Sequence, residues 1–368
     1  MNNRYLLKVL LIIIACLYIP FTQAKKETPA APSIVFLNPG EPVDRGKGMF
    51  WPMTARLMDI AAQRFGMKLE VLYAERDHLL MLRQAESLSQ RSKLPDYIVM
   101  VNEKQAAAQM LKMFAGSSTK ILLIHNDLTS EQRSELGNER EKISNWIGTA
   151  TTYEEKGTYR MMQALYDNLG AVEPQVIGIT GARSTPVSQR RAQGVSDYIS
   201  ESGKGQQLQL MYGNWSTDDA KSKADVLLKR YPQANIIWTA NYSMALGALQ
   251  AVKESGADVL VGSTAAAPPS VNGTDKEGMT VSLGSHFFIG AWAMVLLHDY
   301  HHGVDFVKHG GLRQNLDHLY VINSDNSPRY YQVVYEQTDA IDFSVFSKYI
   351  HPSTGEYTFS LAPLMQEK

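Results

Sequence analysis

His298, His301 and His302 stand at i, i+3 and i+4, a spacing that can bring three imidazoles to one helix face and hold a metal ion. Gly303 follows at once. A helix ending there would leave the three at its exposed C-terminus, where the helix dipole favours histidine without any metal. The sequence favours this second reading. Other patterns that carry chemistry are missing: there is no Gly-x-Ser-x-Gly elbow, no P-loop, no His-Glu-x-x-His, and no Gly-x-Gly-x-x-Gly after an apolar run. The one cysteine, Cys16, lies in an N-terminal apolar stretch. A chain processed beyond it has no disulfide, thiol nucleophile or cysteine-based metal site. No catalytic centre and no cofactor is implied, and the expectation is a protein that is not an enzyme.

The elements around these residues form a regular alternation. Short apolar runs at 33–37, 69–73, 97–101 and 121–125 alternate with helical periods at 49–65, 78–92 and 105–114. A second series places helices at 153–169, 187–202, 218–231 and 243–254. Its strands fall at 176–180, 208–211, 236–239, 259–261 and 279–283, with an amphipathic helix at 287–302. Apolar runs this short, separated by helical periods, indicate βαβ units and parallel sheets buried on both faces. Two series of comparable length predict an α/β protein with two doubly wound lobes. Ligands in such folds sit at the carboxyl ends of the strands, so the loops that follow strands are where function is to be sought.

With 368 residues, 44% of them hydrophobic, the chain can fill two separate cores. A net charge of −1 offers no attraction to nucleic acid or to an anionic membrane surface. Arg4 and Lys8 precede the apolar run from Val9 to Ile19, and Thr22-Gln23-Ala24 closes it in small-x-small form. This reads as a secretory signal over 1–24, cleaved after Ala24. A membrane anchor is disfavoured, because a span needs about 20 apolar residues. Ile13-Ile14-Ala15-Cys16 also fits a lipobox, so lipid attachment through Cys16 is the alternative to soluble export. Residues 25–32 read as a flexible leader, and the expected location is the periplasm.

The segment Ile237-Trp238-Thr239-Ala240-Asn241-Tyr242-Ser243-Met244-Ala245-Leu246-Gly247-Ala248 carries a resemblance. So do Gly178-Ile179-Thr180-Gly181, Gly194 and Val261-Gly262. On these motifs the second series resembles the periplasmic type I solute-binding proteins of the ribose and galactose kind. The first series is similar, at Asn38-Pro39-Gly40 through Trp51, at 96–99 and at 119–126, to the autoinducer-2 receptors within that family. Residues 327–348 also have a counterpart there. The resemblance covers about residues 33–350 and implies two discontinuous lobes joined by three crossings. Lobe 1 would take 33–126 and 287–320, and lobe 2 would take 150–283 and 327–368. The crossings would fall at 127–150, 284–286 and 321–326.

The resemblance also implies a site. Phe50 and Trp51 match aromatics at the opening of the first helix, and Trp215 matches the aromatic of the other lobe. Flat aromatic faces suit the C–H face of a sugar ring, so the two tryptophans would sandwich a ring. Asn126 and Asn241 end strands in the two lobes, flanked by His125 and Tyr242. An amide can pair with vicinal hydroxyls, though asparagine at a strand-to-helix junction is also an ordinary helix cap. The family's helix arginine falls on Gln189, with Arg190 and Arg191 adjacent and Arg183 in the preceding loop. Its second-lobe aspartate falls on Thr264, and the polar residue before the last crossing falls around Leu283 or Gly284, with Ser285 and His286 nearby. These departures thin the charged ring of the family site, which points to a neutral or less hydroxylated ligand and weakens the match to autoinducer-2 recognition.

Two functions follow. The first is a monomeric binding subunit that closes on a small molecule and presents it to the permease of an ABC importer. The second is a sensor subunit that reports occupancy to a membrane histidine kinase or cyclase. Hinge closure serves both. An intracellular repressor is opposed by the signal and by the lack of a DNA-binding segment before Ser33.

Overall fold

The computed structural model describes residues 31–42, 49–264 and 278–366. The expected export signal, Cys16 and the expected leader through residue 30 lie outside them. The chain opens with strands β1 (Ser33–Asn38), β2 (Lys68–Tyr73), β3 (Tyr97–Val101), β4 (Lys120–His125) and β5 (Trp146–Thr152). Between them run helices α1 (Phe50–Arg64), α2 (His78–Ser89), α3 (Ala107–Met113) and α4 (Ser130–Leu136). Next come α5 (Glu154–Leu169), β6 (Gln175–Thr180), α6 (Pro186–Ser202), β7 (Gln206–Tyr212) and α7 (Thr217–Arg230). They lead to β8 (Ile236–Thr239), α8 (Tyr242–Ser255), β9 (Leu260–Ser263) and β10 (Val281–Gly284). Helix α9 (Ile289–His301), β11 (Arg313–Leu316), β12 (Tyr320–Ile322) and α10 (Ser327–Tyr331) follow.

Two six-stranded sheets result, ordered β11-β5-β4-β3-β1-β2 and β12-β10-β9-β8-β6-β7. Every pair is parallel except β12 against β10. Strand order reverses between β1 and β3 in one sheet and between β6 and β8 in the other. Such switch points open a crevice at the strands' carboxyl ends. The two-lobed α/β architecture read from the alternation is the one observed.

The lobe boundaries differ from the expectation at three places: the first crossing, the third crossing, which falls at 317–319 rather than 321–326, and the C-terminal segment. Residues 146–152 form β5 inside the first sheet, where a crossing was expected. This strand is rich in threonine and glycine, so it lacks the apolar run that marked its neighbours; β-branched threonine still suits a strand. The chain therefore leaves the first lobe at 152–154 and returns at 284–286. It passes over again at 317–319, between β11 in one sheet and β12 in the other. The third correction concerns 327–361, which was assigned to the second lobe. Tyr330, Val334, Phe343 and Phe359 are buried in the first lobe's core with α1 and α9. Trp292 gathers them, stacked on Phe359 at 4.8 Å and edge-on to Phe343 at 5.5 Å.

Helix α9 is buried on every side from Ile289 to Asp299, and is a core helix rather than an amphipathic one. Its last turn is not the exposed histidine cluster that the sequence suggested. His298 is buried and stacks on Phe65 at 4.2 Å, and His301 meets the Tyr97 hydroxyl at 3.1 Å. Among the described residues no group of three metal-ligating side chains is arranged to hold an ion.

Candidate ligand-binding site

The ends of β4 and α1 bring the first-lobe candidates together. Phe50 and Trp51 meet edge to face at 4.7 Å, and His125 packs against both, at 4.9 and 5.4 Å. Trp51 is only 8% exposed and belongs to the first core, so its role is partly structural. Asn126 follows, half-buried at the end of β4.

In the second lobe Trp215 lies in the loop between β7 and α7, with its ring over Gly181. A Cβ at position 181 would stand 2.1 Å from that ring, so the loop after β6 must carry glycine for the indole to lie there. Asn241 caps α8 by accepting the Met244 amide at 2.8 Å, and its Nδ2 donates to the Trp215 carbonyl at 3.3 Å. Both ends of this amide are thus used inside the protein, and it positions Trp215. Tyr242 opens α8 half-buried beside it.

Two expected residues do not join the group. Gln189 is exposed on α6 and its amide donates to the Arg183 carbonyl at 2.9 Å. Thr264 is fully buried, and its hydroxyl donates to the Ala240 carbonyl. Helical geometry explains the first: residue 189 falls on the solvent side of α6, whereas 190 and 191 turn inward. Arg190 Nη1 reaches the Thr152 carbonyl at 3.4 Å.

The strongest polar feature was not foreseen. Arg191 clasps Glu154 with Nε to Oε2 at 2.8 Å and Nη2 to Oε1 at 3.1 Å, and its Nη1 donates to the Ala240 carbonyl. Both side chains are buried. Gly194, one turn beyond Arg191, permits this: a Cβ there would lie 2.0 Å from the Glu155 carbonyl, so only glycine lets α6 rest on α5. His286 Nε2 stands 3.5 Å from Glu154 Oε2, and His318 Nε2 lies 3.3 Å from the Thr152 hydroxyl. Burial opposes ionisation of Glu154, but Arg191 and His286 outweigh it and hold the carboxyl well below its ordinary range. For the imidazoles burial wins over the pull of Glu154: His125 and His318 are each pushed down to about 3, and His286 is lowered too. All three are neutral at pH 7. In sequence Glu154 reads only as a first-turn acidic residue, and His318 carried no signal.

Three of the eight described non-glycine residues with left-handed φ lie here. His125, Trp215 and Ser285 adopt left-handed φ values of 67°, 70° and 80°. Each costs about 1 kcal/mol or more, and such strain concentrates at ligand clamps. A model of the periplasmic binding protein domain matches residues 44–303.

The chain belongs to that family. This periplasmic binding protein is 32% identical to a periplasmic sugar-binding protein from Pseudomonas fluorescens, with a TM-score of 0.77 over 91% of this chain and 100% of that one. It also shares the fold of an ABC transporter solute-binding protein from Actinobacillus succinogenes with bound D-allose, at TM-score 0.69 and 18% identity, covering 81% of this chain and 100% of that one. A 78-residue stretch is 32% identical to a D-ribose/D-allose-binding protein of Pseudomonas aeruginosa. That stretch spans 21% of this chain and 24% of the relative. Among the described residues of this periplasmic binding protein, no helix is long and apolar enough to cross a membrane.

Proposed function

We propose that this protein binds a small sugar in the crevice between its lobes and hands it to the membrane permease of an ABC importer. The carrying observation is a set of polar atoms, buried without hydrogen-bond partners among the described residues, contributed from both sides of the crevice. His125 Nδ1 comes from the first lobe and Arg190 Nε from the second. Ser285 Oγ and His286 Nε2 come from the second crossing. Buried polar atoms in native proteins are nearly always paired, so a cluster of unpaired ones fits a hydroxylated ligand. Trp215 and the Phe50–Trp51 pair add aromatic faces suited to a sugar ring. The relatives above, one with bound D-allose and one a D-ribose/D-allose-binding protein, favour the same class. Glu154 is already paired to Arg191, and the Arg190 guanidinium that remains in the crevice can donate to sugar hydroxyls. The protein acts by binding and closure rather than by catalysis, and works in the periplasm.

The test is a thermal-shift and calorimetric screen of the purified protein against pentoses and hexoses, D-ribose and D-allose included. A binder should raise the melting temperature logarithmically with concentration. No response to any pentose or hexose would overturn the sugar reading.

A further inference from the structure

We propose that the lobe crossings form a proton-sensitive hinge, in which Glu154, His286 and His318 hold the lobes in the conformation described only while both imidazoles are neutral. One of these residues stands on each crossing: Glu154 on 152–154, His286 on 284–286 and His318 on 317–319. They are 0%, 5% and 2% exposed. His286 Nε2 and His318 Nδ1 have no hydrogen-bond partner among the described residues.

The surrounding charges decide what a proton would do. His286 faces Glu154 and Arg191, with His125 and His318 beyond. His318 faces His286, Glu154, Asp317 and Arg160. Arg190 approaches the same ring through Thr152, whose carbonyl it contacts and whose hydroxyl meets His318. Each carboxylate already carries a cation, so the pull of Glu154 on His286 at 3.5 Å does not make up for burial and for Arg191. Glu154 is already clasped by Arg191, and Asp317 is held by Arg160 at 2.6 Å and Lys156 at 2.8 Å. A proton on either imidazole therefore adds a positive charge to a buried junction whose carboxylates are already paired, which is costly. Trp292, on the apolar side of His318 with ring centroids 6.5 Å apart, offers no relief.

Rotating the lobes apart lets water reach the crossings, and the imidazoles regain an ordinary proton affinity. The buried state, with lowered affinity, binds fewer protons than the opened one. Acid therefore favours opening, and the effect grows as pH falls below about 6.5. Between pH 7.5 and 5.5, one imidazole passing from buried to solvated shifts the balance about tenfold toward the open form. This proposal does not rest on the identity of the ligand.

Small-angle scattering of the unliganded protein at pH 7.5 and 5.5 tests it, using wild type and the His286→Gln/His318→Gln double variant. The wild type should expand reversibly at pH 5.5, and the double variant should give the same radius of gyration at both values. An unchanged wild-type radius, or a double variant that expands as the wild type does, overturns the proposal. If the double variant fails to fold, deuterium exchange on the wild type decides. Amides at 152–154, 285–286 and 317–319 should lose protection at pH 5.5 after correction for intrinsic rates, and unchanged protection there overturns the hinge.

Discussion

Asp299 Oδ2 accepts the Tyr357 hydroxyl at 2.7 Å inside the first lobe, tying the C-terminal segment to α9 across 58 positions. The same oxygen takes the Lys348 backbone amide at 2.6 Å, and Oδ1 takes the Ser347 hydroxyl beside His298 Nδ1 at 3.1 Å. Burial opposes the charge, but these donors hold the carboxyl below its ordinary range. Asp299→Asn should cost about 1–3 kcal/mol, because it puts an amide N–H₂ where donors converge. Hydrogen exchange should quicken across 347–357 ahead of the rest of the lobe. Unchanged protection there would mean that apolar packing alone holds the segment.

Glu154→Gln should destabilise the protein by about 3–5 kcal/mol, since it leaves Arg191 buried without a countercharge. Adding Arg191→Met should recover part of the loss, as an apolar replacement removes the stranded charge. Urea unfolding measures both. A single variant within about 1 kcal/mol of wild type, the scale of a surface pair, would show that the pair is solvated in solution.

Gly181→Ala would put a methyl group 2.1 Å from the Trp215 ring. The indole must move, while the loop backbone, at ordinary φ, need not. Sugar affinity should therefore fall more than tenfold with only a small change in melting temperature. Equal affinity would remove Trp215 from the site.

Trp215→Ala and Trp51→Ala should separate in their effects. Trp215 is half-buried at the crevice, so its loss should weaken binding by about 1–3 kcal/mol and leave the fold intact. Trp51 lies in the first core, so its truncation should cost about 3–5 kcal/mol of stability as well. Calorimetry and urea melts on the same samples check the split. A Trp51 variant of wild-type stability would place that indole in the crevice rather than the core.

Acid should also lower global stability. His318, pushed down to about 3 by burial, binds fewer protons when folded than when unfolded. Stability is thus full above about pH 6.5 and is lost as pH falls from there toward 3, by about 1.5–2 kcal/mol at pH 5. His318→Gln should remove its share of this loss and leave that of His125, which burial lowers equally, read by urea midpoints across the range. A variant with the wild-type slope would show that another group carries it.

Loop positions after strands were legible in sequence because their signals are local. The resemblance singled out Asn241 and Trp215, and both stand in loops after strands, where Asn241 caps α8 and holds the Trp215 carbonyl. The resemblance likewise put Trp51 beside the ligand, but its burial depends on α9 and the C-terminal segment, which lie far away in sequence.

Periodicity determined the architecture, because a strand or helix buries its faces at a period written into consecutive residues. The alternation was enough to specify two doubly wound lobes, and the lone Cys16 determined that the folded body has no thiol chemistry. Tertiary structure alone decided that β5, poor in apolar residues, joins the first sheet, and that 327–361 completes the first core. It alone turned Glu154 from a helix-start carboxylate into the buried partner of Arg191. It also set His286 and His318 around that pair. The reason is physical: burial and charge pairing depend on which distant segments meet, and a side chain's proton affinity follows from what surrounds it rather than from its neighbours in the chain.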